Sequence, residues 1–279
     1  MTYTELWRSL TPLYSVGEAQ AVTRTVLDLQ FGLSLTDLVC GKVNELSADG
    51  EMLLKKIFKR LQQGEPVQYV LGLADFCGHT FHVNPSVLIP RPETAQLVKL
   101  TAERMPKNGR VLDIGTGSGC IAVSLALLEK ESYVEAWDIS DAALTVAAGN
   151  ALRLGAKVAF RRCDALNPPD DEQLWDLIVS NPPYIADSER KDMEPLVLDH
   201  EPSLALFVPD NDALRFYRSI SRYAAKALKP GGSLLFEINP RFADETAELM
   251  RGFGLSNVEI VNDDYGHRRF AIGERQKSV

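Results

Sequence analysis

Apolar residues in the opening stretch of the chain recur at steps of three and four. Val16, Ala19, Val22, Val26, Leu29 and Leu33 mark one amphipathic helix, and Leu54, Ile57, Phe58 and Leu61 mark another that Gly64 and Pro66 bring to a stop. Residues 1–72 therefore predict a small helical bundle, which holds no catalytic constellation and suits binding a partner or covering a site. Over Phe76, Gly78, Phe81 and Val83 the texture changes to that of a short hairpin joining two parts of the chain, closed by Asn84-Pro85. Pro90 and Pro92 then stiffen the segment Val87–Thr94, and a helix carrying Leu97, Val98 and Leu100 is expected from near Glu93.

After Pro106 and Gly109 the pattern alternates strand and helix, as in an α/β domain. Strands are expected over Arg110–Ile114, Tyr133–Trp137, Lys157–Arg162, Trp175–Ser180 and Ser233–Ile238. Helices follow Gly119, Ser140 and Phe216, the last running to Leu228 before Lys229-Pro230-Gly231-Gly232. Between the fourth strand and that helix, Asp187–Pro209 is a polar connection too long for a turn and reads as a wall or lid. A helix over Ala243–Met250 and two strands, Val258–Val261 and Arg269–Ile272, joined by a hairpin turn at Asp263–Gly266, close the chain.

Chemistry gathers at the carboxyl ends of the predicted strands, where open α/β sheets bind ligands. Gly115-Thr116-Gly117-Ser118-Gly119 opens a helix after the first strand, and its glycines let the backbone approach a ligand. The third glycine comes one residue early for a dinucleotide fingerprint, Cys120 standing where that glycine belongs, and no Walker lysine follows. Asp138 at the second strand's tip is placed to accept from both hydroxyls of a ribose, and Asp164 after the third to accept from an adenine amino group. The fourth strand leads into Asn181-Pro182-Pro183-Tyr184. A planar NH2 group is a weak nucleophile because its lone pair is conjugated. The Asn181 side-chain oxygen and the Pro182 carbonyl are acceptors that can turn such a group toward an electrophile, with Tyr184 stacked on it.

Charge narrows the partners. A net charge of −8 disfavours a simple polyanion, since nucleic-acid binding draws most of its affinity from Lys and Arg. Lys55-Lys56 with Lys59-Arg60 reads as a solvated helix face. Asp75, Cys77, His79 and His82 do not converge on one point along a strand, so no metal site is expected. Cys40, Cys77, Cys120 and Cys163 form no CxxC pair and are expected reduced. No run approaches about 18 apolar residues, and the first ten residues lack a signal-peptide core, so a cytoplasmic protein without a membrane span is expected.

Val111–Gly119, Asp138, Asp164 and Asn181–Tyr184, in that order and spacing, resemble class I S-adenosylmethionine-dependent methyltransferases acting on amino groups. Glu65–Gly72, Phe76–Val83, Leu88–Thr94, Glu201-Pro202 with Ala205-Leu206, and Asp264–Arg268 narrow the resemblance to the HemK/PrmC family. The resemblance implies a Rossmann-like seven-stranded sheet, an N-terminal substrate-binding helical domain over 1–72, a hairpin linker over 73–90 and a methyltransferase domain over 91–279. It further implies methyl transfer from S-adenosyl-L-methionine, leaving S-adenosyl-L-homocysteine, to the glutamine side-chain amide in the Gly-Gly-Gln motif of class 1 peptide chain release factors. The closest alternative is a DNA or RNA methyltransferase acting on the exocyclic amine of adenine; the acidic charge leaves no direct nucleic-acid contact expected, and a monomer is. By the same resemblance Gly115, Thr116, Gly117, Ser118 and Gly119 meet the methionine part of the cofactor, Asp138 the ribose, and Asp164 with Ala165 the adenine, with Asn181 also expected to contact the cofactor. Asn181 and Pro182, with Pro183 and Tyr184, hold the glutamine amide. Ala95, Ala165 and Asn239-Pro240-Arg241 depart from the family's pattern, in places expected to lie clear of the central constellation.

Overall fold

The computed structural model describes residues 1–193 and 195–277. Glu194, inside the connection expected to wall the site, and Ser278 and Val279, at the end of the span 91–279, lie outside the described residues. Residues 1–73, with which the short helix Pro195–His200 clusters, form one compact unit, and Ala74–Met193 with the chain from Glu201 onward form a second.

The first unit contains α1 (Tyr3–Arg8), α2 (Val16–Phe31), α3 (Leu35–Val39), α4 (Ala48–Leu61) and α5 (Val67–Leu71). Thr2, Ser15 and Ser34 each accept from a backbone amide three residues on, and Glu5, Glu18 and Asp37 reach back to the capping residue, so three helix starts are closed reciprocally. Leu6, Leu10, Val26, Leu27, Leu54, Phe58 and Leu61 make its core. Two stripe residues expected inside are not: Val16 is 55% exposed and Leu29 47%. Ala19 and Val26 of that stripe are buried as expected, and Thr23 and Leu27 complete the buried face of α2, because Leu29 sits roughly 200° around the helix from Leu27. Arg60 also departs from the solvated face expected of its cluster. Its guanidinium pairs with Glu65 and donates to the Val70 and Tyr69 carbonyls, at 3.0 and 3.2 Å, tying α4 to α5.

A hairpin, β1 (Leu73–Phe76) and β2 (His79–His82), turns through Cys77 and Gly78 and is followed by α6 (Pro92–Ala102), with Pro92 at its first position. Then come β3 (Arg110–Ile114), α7 (Cys120–Leu128), β4 (Tyr133–Asp138), α8 (Asp141–Leu154), β5 (Val158–Arg162), β6 (Trp175–Ser180) and β7 (Ile185–Ala186). In sequence α9 (Pro195–His200) precedes α10 (Ser203–Leu206), β8 (Phe207–Val208), α11 (Arg215–Ala227), β9 (Leu228–Glu237), α12 (Ala243–Gly252), β10 (Leu255–Asn262) and β11 (Arg268–Arg275).

The main sheet has seven strands in the order β10-β11-β9-β6-β3-β4-β5, paired in parallel from β9 to β5, with β11 running antiparallel to both of its neighbours, β9 and β10. Its central strands are mostly apolar because helices cover both faces, with Asp113 of β3 and Ser180 of β6 as buried polar exceptions near their carboxyl ends. Alternation still sorts them: Val111, Leu177, Val179 and Leu235 join one core with α6 and α7, while Leu112, Ile178, Leu234 and Phe236 join the other with α11. The helix expected to reach Leu228 stops at Ala227, and β9 begins there, five residues before Ser233. Trp175 pairs with Leu228 and Leu177 with Ser233, so Lys229–Gly232 bulges out of a strand rather than ending a helix. The chain enters the sheet at β3 and adds β4 on one side and β6 on the other, which opens a crevice at the carboxyl ends of these strands.

Candidate active site

That crevice holds a cavity of about 480 Å³, within the ~300–1,000 Å³ range of small-molecule clefts. Gly115–Ser118, Asp138, Asp164, Ala165, Asn181, Pro182 and Pro183 all face it, so residues up to 68 positions apart in sequence meet in one space. Pro202, Leu204, Ala205 and Phe207 add a wall from the long connection, and Ile89, Pro90 and Arg91 another. Buried Glu201 joins these two walls, accepting from the Ile89 amide at 3.3 Å and pairing with the Arg91 guanidinium at 2.6 Å.

The glycine loop is held almost wholly by its own protein. Gly115 and Thr116 donate to the Trp137 carbonyl at 2.8 and 2.9 Å, Gly117 donates to Asp138 Oδ2 at 2.9 Å, and Gly119 donates to the Thr116 carbonyl. These amides are spent on the fold, which leaves the loop poorly suited to cradling phosphate and well suited to offering a flat backbone surface. Gly117 has φ +56°, and a Cβ there would meet nothing within 4 Å; at Gly119, φ +80°, a Cβ would meet Ala147 at 3.0 Å. Gly117 thus leaves room on the open side and Gly119 lets α7 pack on α8. A Cβ on Gly115 would stand 4.0 Å from the Asn181 carbonyl oxygen, which brings loop and tetrapeptide together.

Two carboxylates shape this end. Asp138 Oδ1 accepts from the Ser140 amide and Oδ2 from Gly117, and burial raises its pKa against the opposing pull of those bonds. Asp113, fully buried, accepts from the Thr116 hydroxyl and the Ala122 amide through Oδ2, and burial lifts its pKa to about 7. Its Oδ1 is buried and has no partner among the described residues. Asp164 Oδ1 accepts from the Leu166 amide at 2.9 Å, closing the turn that presents Ala165. Asn150 of α8, also buried, donates to the Ser118 and His82 carbonyls and accepts from the His82 amide, clamping the glycine loop to β2.

At the other end Ser180 donates to the Ile114 carbonyl at 2.6 Å, fixing the strand that delivers Asn181. Asn181 Nδ2 donates to Thr94 Oγ1 at 3.3 Å, and the Thr94 hydroxyl donates to Glu237 Oε2 at 2.7 Å. Glu237 is buried at the end of β9, and burial raises its pKa to about 7. Tyr184 is not part of the cavity wall. Its ring packs against the α11-side core and its hydroxyl donates to Glu237 Oε1 at 3.3 Å, with burial pushing the phenol well above its ordinary range. The departure at Asn239 is not clear of the constellation: its amide donates to the Tyr184 carbonyl at 3.2 Å and to Glu189. Asp113, Thr94, Glu237 and Asn150 were not singled out by sequence reasoning. Asp113 and Thr94 lie within segments that carry the resemblance, and Glu237 left a signal as a lone acid ending the apolar run Leu234–Phe236.

A donor set of one ribose-competent carboxylate, a turn presenting Asp164 and Ala165 and a glycine loop whose Gly115, Thr116, Gly117 and Gly119 amides are bonded within the fold fits a nucleoside carrying an amino-acid arm. The comparisons with known proteins agree with that fit. Residues 8–72 match the family model of the PrmC N-terminal domain and residues 93–198 that of the methyltransferase small domain. A release factor glutamine methyltransferase of Bacteroides thetaiotaomicron is 44% identical over 96% of this chain and 97% of its own. One of Flavobacterium psychrophilum is 39% identical over 95% of each chain. Among solved structures, a methyltransferase from Pyrococcus furiosus superposes with a TM-score of 0.54 over 70% of this chain and 88% of its own; at 18% identity the likeness concerns the class I methyltransferase fold alone.

Proposed function

Because the chain belongs to the release factor glutamine methyltransferase family, we propose that it methylates the side-chain amide nitrogen of the glutamine in the Gly-Gly-Gln motif of class 1 peptide chain release factors. The observation that carries this reading at the site is the turn of Asn181: its nitrogen is engaged by Thr94, so its oxygen is the atom left to accept from a substrate NH2. S-adenosyl-L-methionine, when bound, supplies an electrophilic methyl group on a positively charged sulfur. Gly115–Ser118, Asp138, Asp164 and Ala165, which line the cavity, are the residues we assign to holding it, the aspartate at 138 taking the ribose hydroxyls, while Gly119 supports the loop by packing against α8.

Asn181 Oδ1 and the Pro182 carbonyl accept from the two N–H bonds of the glutamine amide and so direct the nitrogen lone pair at the methyl group. Pro183 fixes the backbone beside them, and Tyr184 braces the tetrapeptide from behind through Glu237. As the carbon–nitrogen bond forms and the carbon–sulfur bond breaks, the amide nitrogen becomes acidic and its proton passes to water. No strong base is needed, and positioning with exclusion of bulk water supplies most of the acceleration.

We assign residues 1–72 to substrate binding, 73–90 to the linker and 91–279 to methyl transfer, supported by the separate family models for the two parts. A monomer working in the cytoplasm without direct nucleic-acid contact fits the net charge of −8, and among the described residues no helix is long and apolar enough to cross a membrane. The test is incubation with methyl-labelled S-adenosylmethionine and either a purified release factor or DNA, followed by mass spectrometry. Label on the motif's glutamine is expected; label on adenine overturns the reading.

A further inference from the structure

We infer that Glu237, acting through Thr94, is a positioning residue that keeps the Asn181 amide turned with its oxygen toward the substrate; the inference rests on the proposed role of Asn181. An asparagine amide is nearly symmetric in shape, and only its hydrogen-bond partners decide which end faces the cavity. Thr94 has a single hydroxyl proton, and at 2.7 Å from Glu237 Oε2 that proton is committed to the carboxylate. Thr94 Oγ1 can then only accept from Asn181, which selects Nδ2 for the 3.3 Å contact and leaves Oδ1 as the acceptor. Were the Thr94 proton free to point at Asn181, the amide would reverse and present NH2 to the substrate's NH2, donor against donor.

The carboxylate has a second duty that makes its ionisation matter. Thr94 reaches Oε2 and the Tyr184 hydroxyl reaches Oε1, so two hydroxyl donors converge on one buried group. An ionised carboxylate accepts both. A protonated acid carries a proton on one oxygen, and one of the two hydroxyls must turn away. Glu93 on α6 raises the carboxyl's pKa by repulsion, whereas Arg269 on β11 and the Thr94 and Tyr184 hydroxyls lower it. The Tyr217 hydroxyl of α11 donates to the backbone carbonyl of Glu237 and accepts from the Asn239 amide. With burial dominant, the carboxyl titrates at about 7, inside the range where an enzyme assay can see it.

The experiment compares wild type, E237Q, T94V and T94S as full-length proteins, reading kcat on a purified release factor across pH, cofactor affinity by calorimetry and melting temperature. Glutamine offers one acceptor oxygen for two hydroxyls at every pH, as the protonated acid does. Wild-type kcat is expected to fall as pH drops below about 7, and E237Q to lose about tenfold or more at alkaline pH with that acid limb abolished. T94V is expected to lose kcat similarly, T94S to recover most of it, and cofactor affinity to stay within about twofold in all three. Wild-type kcat and an intact acid limb in E237Q would overturn the positioning role alone. Absence of methyl transfer by the wild-type chain would overturn the reading of the reaction and this role with it.

Discussion

Replacing Asp138 by asparagine changes one atom and tests the cofactor end of the site. Each Asp138 oxygen already accepts a backbone amide at 2.9 Å, Gly117 on one side and Ser140 on the other. Asparagine has one oxygen, so its NH2 must face one of those N–H groups. The Ser140 bond spans two residues and the Gly117 bond spans 21, so the oxygen stays with the local turn and the NH2 confronts Gly117. The loop then loses a hydrogen bond to a charged group, and a ribose hydroxyl loses an ionised acceptor. Such a bond is worth about 1.5–3 kcal/mol, which corresponds to about 10- to 150-fold weaker cofactor binding. The fold should persist, because Gly115 and Thr116 still donate to Trp137 and Thr116 still donates to Asp113. Calorimetric titration with S-adenosylhomocysteine, alongside a thermal melt, measures both. A dissociation constant within twofold of wild type would refute the reasoning, and loss of binding together with loss of the cooperative melt would assign Asp138 to stability instead.

Asn181→Ala should lower kcat on a release factor by roughly 10²-fold or more with cofactor affinity little changed, since it removes one fixed polar contact to the reacting amide; near-normal methylation would sink the assignment. Gly119→Ala should destabilise the protein in urea denaturation by about 2–4 kcal/mol, combining a left-handed backbone with a Cβ 3.0 Å from Ala147. Gly117→Ala, with open space at its Cβ, should cost only about 1 kcal/mol and act mainly on cofactor affinity; equal destabilisation by the two would contradict the geometry. Burial raises Asp113 from 3.8 to about 7, so its contribution to stability is fully present below the unfolded value and is lost as pH rises through about 7. An asparagine side chain at that position would not titrate, so Asp113→Asn should gain on wild type by a few kcal/mol between about pH 4 and pH 8 in denaturant midpoints, and a constant gap between them would count against the shift.

The chain's own pattern determined the alternating α/β core, because buried parallel strands must be apolar and the glycine and aspartate residues at their ends break that run where ligands bind. It also marked Gly115–Gly119, Asp138, Asp164 and Asn181, whose identities are unusual for their places in the pattern. Helix faces were less legible where two apolar steps compete, as at Leu29 against Leu27, since a periodic signal does not say which stripe the neighbours will cover. The bulge at Lys229–Gly232 was hidden for a similar reason: Pro-Gly-Gly ends helices and interrupts strands alike, and only pairing with β6 chooses. What the tertiary structure alone decided is the support behind the site. Thr94 and Glu237 are 143 residues apart, and Glu201 and Ile89 are 112 apart. Nothing local distinguishes a threonine in a helix's first turn from a solvated one, and the acid that ends the run Leu234–Phe236 does not name its partner. Their meaning comes from burial, where a polar group must find a partner, and burial belongs to the folded chain.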